Sequence, residues 1–247
     1  KNIRIIRETL SGKHTRILSR LKKEMEALSA AHKFEEAAAA RNHIWALERI
    51  FEHSPYISKE QSIENEKGAR YLQKILGLKT PIERIEGYDI SNILGTDAVG
   101  SMVVFTEGRA DKAEYRKFKI RTVRGANDPA MIREILTRRF RNTGWRYPDV
   151  ILIDGGPTQL NAAISARAEI GLDLNTTKDT QKHLGRIYIV SIAKREEELY
   201  LPDTKEPLRL KSLPIPLLHL IQQIRDESHR FAINYHRKLH RTSLRRG

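Results

Sequence analysis

Two aspartates carry the sharpest chemical signal in this chain. Asp154 closes the apolar run Val150-Ile151-Leu152-Ile153 and is followed by Gly155-Gly156. Such a run reads as a strand covered on both faces, which puts Asp154 at its carboxyl end, where open α/β sheets gather their ligands. The glycines permit a sharp turn and close approach of a ligand. An aspartate there also suits a turn or a helix cap. Asp89 falls late in a second strand-like segment, Glu86-Gly87-Tyr88-Asp89-Ile90-Ser91. A carboxylate inside a central strand loses water at a cost unless it is paired or holds a cation. If the two strands neighbour each other in parallel, the carboxylates converge and repel, and a divalent cation relieves that. With no cysteine in the chain, oxygen donors favour Mg²⁺ or Mn²⁺ over a structural zinc.

Other chemistry-bearing residues are more ambiguous. His229 sits in Arg225-Asp226-Glu227-Ser228-His229-Arg230-Phe231. A helix there would bury Leu217, Leu220, Ile224 and Phe231 and leave His229 and Arg230 at its edge, above the sheet. A lone helical histidine is usually an ordinary surface residue, and Asp226, Glu227 and His236 compete with it on the same helix. Asp128 precedes Pro129 at a helix start, so it reads first as an N-cap. No nucleotide-hydrolase glycine loop and no Ser-His-Asp arrangement stands out.

The elements that must position these residues follow from periodicity. Apolar residues at Ile17, Leu21, Met25 and Leu28, then at Phe34, Ala37, Ala38, Ile44, Leu47 and Ile50, predict two helices in an antiparallel hairpin. The polar stretch 53–67 reads as a linker, and Glu66–Leu76 as a short helix closed by Gly77. Strands are predicted at Arg84–Ile90, Ala98–Thr106 and Glu114–Arg121, joined as an antiparallel meander with a turn at Glu107-Gly108-Arg109. Helices are predicted at Pro129–Phe140 and Pro157–Ile170, buried strands at Asp149–Ile153 and Arg186–Ala193, a hairpin over Glu197–Leu210, and a long last helix from Ile215 to His240. The expected fold class is α/β, an RNase H-like mixed sheet flanked by helices and preceded by an α-helical hairpin. The domain reading is 1–55 hairpin, 56–81 linker and short helix, and 82–247 RNase H-like domain.

Composition narrows the partners. Lys and Arg number 45 against 31 Asp and Glu, a formal charge of +14. That field attracts polyanions, nucleic acid first among them, though a basic surface or an acidic protein partner is the plainer account. No apolar run approaches the roughly 18 residues a membrane span needs. The lack of cysteine fits a reducing cytoplasm. The chain starts at Lys1 with no signal-peptide pattern, and it reads as a piece of something longer.

Several segments in order resemble the UvrC family of bacterial excision-repair nucleases. Phe34-Glu35-Glu36-Ala37-Ala38-Ala39-Ala40-Arg41-Asn42-His43-Ile44 is similar to the UVR motif that binds UvrB, departing at Asn42, where Asp is usual. Tyr88-Asp89-Ile90-Ser91, Tyr115-Arg116-Lys117-Phe118, the stretch Arg133 to Phe140, Ile151 to Gly156, and His229-Arg230-Phe231-Ala232-Ile233 resemble successive blocks of the family's endonuclease domain. The resemblance implies that Asp89, Asp154 and His229 form a catalytic Asp-Asp-His set, holding Mg²⁺ or Mn²⁺, with Asp128 a further carboxylate of the same incision. It leaves His229 either a metal ligand or a proton carrier. Asn127 stands where Asp is common.

Arg116, Lys117, Arg230 and Arg237 are expected to meet phosphates. Phe34, Glu35, Ala38, Arg41 and Ile44 are expected to meet UvrB. The implied substrate is damaged double-stranded DNA, with no membrane and no small-molecule cofactor. The family's GIY-YIG domain, cysteine cluster and helix-hairpin-helix module are not in these residues, so the expected reaction is the 5′ incision. The rivals are a non-catalytic adaptor that docks UvrB and DNA, and another RNase H-like repair nuclease of the endonuclease V kind.

Overall fold

The computed structural model describes residues 14–52, 55–91, 98–123, 125–173, 177–193, 196–202, 204 and 206–243, with side chains at all of these except 14–18, 45–52, 55–59, 91 and 234–243. The chain divides into two compact units, residues 1–62 and 63–247.

In the first unit, α1 (His14–Ala30) and α2 (Phe34–Glu52) form the expected hairpin. The turn between them ends α1 with paired backbone bonds, Lys33 N–H to the Leu28 carbonyl at 2.9 Å and His32 N–H to the Ser29 carbonyl at 3.0 Å. His32 takes the left-handed conformation that this helix ending demands, with φ of 57°. Leu21, Ala40 and Ile44 are the buried apolar residues here.

The expected linker is instead helical, as α3 spans Pro55–Ile75. Its buried positions Ser62, Asn65, Gly68, Ala69 and Leu72 keep helical spacing, but only Ala69 and Leu72 are apolar side chains, so a search for apolar period passes over them. Asn65 is satisfied in its burial by bonds from its amide nitrogen to the Gly108 carbonyl and to Gln223 Oε1, both 2.7 Å. Gly77, at φ of 64°, closes the helix as expected.

The second unit is built on one mixed sheet. Its strands are β1 (Arg84–Ser91), β2 (Val99–Thr106), β3 (Arg109–Ala110), β4 (Arg116–Lys119), β5 (Val150–Asp154), β6 (Tyr188–Ala193), β7 (Glu198–Tyr200) and β8 (Leu208–Arg209). They lie in the order β3-β2-β1-β5-β6-β7-β8, with β4 also on β2. The meander is present, but its third strand is split: a 3-10 turn at Lys112–Glu114 separates β3 from β4, and both pair with β2. β1 pairs β5 in parallel, and β5 pairs β6 in parallel.

Four helices flank the sheet: α4 (Asp128–Phe140), α5 (Pro157–Leu172), the unanticipated α6 (Lys178–Leu184) and α7 (Ile215–Ser243). Residues alternate faces along a strand, and β1 shows both. Glu86 bonds Arg139 of α4, whereas the Gly87 position abuts Ile224 of α7. The core contains Val150, Ile151, Leu152 and Ile153, all buried as the apolar run required. Leu217, Leu220 and Ile224 form the buried stripe of α7. Among the described residues no helix is long and apolar enough to cross a membrane.

Candidate active site

The parallel pairing of β1 and β5 sets Tyr88 opposite Ile153, so the next residues, Asp89 and Asp154, stand level at the carboxyl ends of adjacent strands. Equal register in a parallel pair points both side chains to one face. It is the α7 face, since Gly87 lies two residues before Asp89. A Cβ at Gly87 would sit 2.4 Å from Ile224 Cγ2 and 3.0 Å from Val103 Cγ2. Only glycine lets the helix ride this close to β1. From that point the strand advances two residues to Asp89, about 6.6 Å. The helix advances five residues to His229, about 7.5 Å. The two therefore meet: His229 Nδ1 lies 3.3 Å from Asp89 Oδ2.

Two further bonds fix the helix at this height. The Ser101 hydroxyl of β2 donates to the Ser228 carbonyl at 3.0 Å. The Tyr115 hydroxyl donates to Glu227 Oε1 at 3.0 Å, and its ring packs edge-on against Phe231.

Electrostatics mark Asp89 as the stressed group. It is 7% exposed. Burial and then the negative charge of Asp154 push its carboxyl up to about 6, His229 pulls it partly back, and Asp128 adds a smaller push upward. Three aspartates and a histidine thus share one field, although they are scattered along the sequence from residue 89 to residue 229.

Asp128 itself departs from its expected role. The N-cap of α4 is Asn127, whose Oδ1 accepts the Ala130 N–H at 3.1 Å, and Asp128 is the first helical residue. Capping therefore does not account for Asp128. Nor does it account for Asp154: the N-terminus of α5 is at Gly156, whose N–H goes to Gln159 Oε1 at 3.1 Å.

Competing acids on α7 are engaged elsewhere. Asp226 pairs with Arg225 at 2.7 Å, and Glu227 takes Arg230 at 2.6 Å as well as Tyr115. The side chains of His236 and Arg237 lie outside the described residues.

The expected phosphate-binding residues fare unevenly. Lys117 is exposed, 4.6 Å from the Phe231 ring centroid. Arg116 folds back, donating to the carbonyls of Ala113 and Tyr115 and stacking on Trp145. Arg230 is held by Glu227. Of the hairpin residues, Phe34 is 64% exposed while Ile44 is 6% exposed, and Glu35 and Arg41 are exposed. Ile44 is thus a packing residue of its own unit rather than a surface open to a partner.

The residues fit a divalent cation in a particular way. Among the described residues no three His, Asp or Glu side chains form a ready-made metal cage. Two level carboxylates could still supply oxygen ligands to a divalent cation in an open site that keeps several waters.

Reading residue by residue missed a second cluster on the opposite face of β1. Glu86 is fully buried. It accepts from Arg139 Nη2 at 2.9 Å and Nε at 3.1 Å, from Arg84 Nη2 at 3.2 Å and from the Tyr88 hydroxyl at 2.8 Å. The signal was present: Arg139 keeps helical spacing with Ile132, Ile135 and Leu136, so it sits on the apolar stripe of α4, where a charge needs a partner.

An antiparallel triplet continued by two parallel strands, with helices on both faces and carboxylates at the strand ends, defines the class as an RNase H-like domain. Residues 73–233 match the family model of the UvrC RNase H endonuclease domain. The chain belongs to that family. It is 46% identical over 173 residues to the UvrABC system protein C of Dehalococcoides mccartyi, covering 67% of this chain and 26% of that protein. It is 50% identical over 171 residues to that of Acidobacterium capsulatum, covering 68% and 24%. The chain therefore spans about a quarter of the length of these relatives. Among solved structures, an endonuclease V of Ciona intestinalis in complex with DNA is 17% identical, covering 55% of each chain at a TM-score of 0.31, too low to bear on fold or function.

Proposed function

We propose that this chain is the 5′-incision endonuclease portion of a nucleotide excision repair nuclease, hydrolysing a DNA phosphodiester with the help of Mg²⁺ or Mn²⁺. The observation that carries this reading is the level placement of Asp89 and Asp154 on adjacent parallel strands, inside a domain of an endonuclease family.

In this reading Asp89 and Asp154 hold the cation, and their mutual repulsion makes the site selective for positive charge. A bound divalent ion supplies charge neutralisation at the phosphate and a more acidic water. Asp128 adds negative charge at the edge of the site. His229 acts through Asp89: its Nδ1 lies 3.3 Å from Oδ2, and in the tautomer with the proton on Nδ1 it donates to the carboxylate and orients it. Its other ring nitrogen, Nε2, is then the one left to carry a proton. Exposure of the ring, at 60% for the side chain, suits exchange with substrate or solvent. Lys117 positions the sugar-phosphate backbone without reading bases.

The substrate is damaged duplex DNA, the setting is the bacterial cytoplasm, and the docking partner is UvrB, met through the hairpin. Phe34 supports the last point, because a large aromatic left exposed at a helix start is the residue type that anchors interfaces. Phe34→Ala is expected to weaken UvrB capture while bare DNA affinity stays unchanged; equal capture of the variant in a pull-down removes the docking role.

The main test uses Asp89→Asn and Asp154→Asn. Each should lower Mg²⁺-dependent incision of a damaged duplex, assayed with UvrB present, by at least about 10³-fold while the fold is retained. Incision at the parent rate by either folded variant contradicts the assignment.

A further inference from the structure

A groove of about 660 Å³ runs between α4 and α5, from Arg121, Thr122 and Pro129 at one end to Arg141 at the other. Arg133, Thr137 and Arg141 recur every fourth residue and so share a face, with Arg138 beside them, donating to the Lys119 carbonyl at 2.7 Å and to Glu134 at 3.4 Å. The opposite wall is low, made by Ala162 and Ser165 of α5. Arginines line one wall and small residues the other; most of the exposed lining is apolar carbon, so the guanidinium groups border the groove and leave room for a bulky strand between them.

The acids around it do not oppose that occupant. Glu134 lies in the groove, but it accepts the backbone N–H groups of Arg121 and Thr122 at 2.8 and 2.9 Å and the Thr122 hydroxyl at 2.6 Å. Burial pushes its carboxyl up, yet these bonds and Arg138 outweigh that and hold it below the usual range. Glu134 therefore fastens the 121–122 loop to α4. Glu169 and Asp173 pair with Arg133 and Arg141. Both are exposed pairs of the kind worth about 0–1 kcal/mol, so exchanging them for phosphate costs little.

Shape and location narrow the ligand. Among the described residues no aromatic or long aliphatic side chain lines the groove, so it lacks the anchors that protein partners use. Its mouth adjoins Asp128, whose charge reaches Asp89. From Ala130 to Arg141 the helix rises about 16 Å, the length of roughly five nucleotides of one strand. We propose that the α4–α5 groove, on the face of the sheet opposite Asp89 and Asp154, seats the sugar-phosphate backbone of duplex DNA leading away from the incision point at the Pro129 end, through Arg121, Arg133, Arg138 and Arg141. The choice of DNA rests on the function proposed above.

The experiment measures binding of the 247-residue chain to a duplex of about 30 base pairs by fluorescence anisotropy, in EDTA and over a salt series. The double variant Arg133→Gln/Arg141→Gln should bind about tenfold more weakly near 0.1 M salt. The slope of log Kobs against log salt should shrink by about 2, one for each phosphate that the variant no longer neutralises. Ala162→Glu keeps every arginine and should weaken binding comparably by placing an acid in the groove, so it decides the matter if the double variant folds poorly. Arg209→Gln, exposed on the edge strand β8, controls for net charge and should change little. Parent-like affinity in both groove variants, or an equal loss in the control, overturns the proposal. Cleavage plays no part in this assay, so an intact groove with an inactive or unaffected aspartate pair separates failure of the catalytic reading from failure of this one.

Discussion

Strand β1 carries one buried carboxylate on each face, and their surroundings differ in sign. Glu86 looks toward α4, where two guanidinium groups and the Tyr88 hydroxyl satisfy it. Asp89 looks toward α7, where its neighbours are Asp154, Asp128 and a single imidazole. The same burial therefore yields a finished ion pair on one side and, on the other, a carboxylate that burial and the charge of Asp154 push toward protonation. The first arrangement fastens α4 to the sheet, with Arg139 also donating to the Arg146 carbonyl at 2.6 Å and thereby tying down the following loop. A structural carboxylate brings its partners with it, whereas a carboxylate kept short of partners marks a place for a ligand.

The comparison can be broken from its finished side first. Glu86→Gln leaves Arg139 buried against a neutral amide, and removing one partner of a buried pair costs about 3–5 kcal/mol. Denaturant unfolding should register that change. A difference under about 1 kcal/mol would mean that the Glu86 cluster is no more committed than Asp89.

The unfinished side should respond in the opposite direction. Asp89 is raised from 3.8 to about 6, so between those values the unfolded chain gives up its proton first. Native stability therefore falls as pH rises through this window, and the full penalty is present above it. A shift of that size corresponds to about 3 kcal/mol at most. In chelator, Asp89→Asn should stabilise the protein by up to that amount above about pH 6, and by progressively less as pH drops toward about 4. A destabilised Asp89→Asn at about pH 7.5 would make Asp89 a second structural carboxylate.

Much of this contrast is legible in the residues alone. The apolar run ending at Asp154 and the placement of Asp89 near a strand end predict convergence once the two strands are parallel neighbours, and that pairing is supplied by the topology. The periodic stripe Leu217, Leu220, Ile224 determines which edge of α7 His229 occupies. What escapes is equally physical. Helix α3 buries Ser62 and Asn65 where apolar residues are sought, and Asn65 is bonded to Gly108 and Gln223, positions no local reading connects to it. The cap of α4 falls on Asn127 rather than Asp128, one residue from expectation, since both types cap well and only the hydrogen bond to Ala130 distinguishes them. Glu86 and Arg139 are separated by 53 positions, so their pairing belongs to the topology rather than to any segment.

Gly87 offers the smallest and sharpest perturbation, because it acts on the geometry that joins the helix to the unfinished side. Gly87→Ala puts a methyl group 2.4 Å from Ile224 Cγ2. The resulting overpacking should cost about 1–3 kcal/mol and lift α7 away from β1. The His229 ring would then part from Asp89, visible as a change in the imidazole resonances by NMR. An unchanged histidine signal with the same stability loss would show that α7 is held at this height by Ser101 and Tyr115 alone.

The proposed chemistry depends above all on Asp89 and Asp154 binding one divalent cation together. A crystal of the 247-residue chain soaked in Mn²⁺ tests this most directly, through the anomalous scattering of the metal. The expected result is a peak within bonding distance of both carboxylates, which disappears in Asp154→Asn. Full occupancy at some other place, with the space between Asp89 and Asp154 holding no metal, would contradict it.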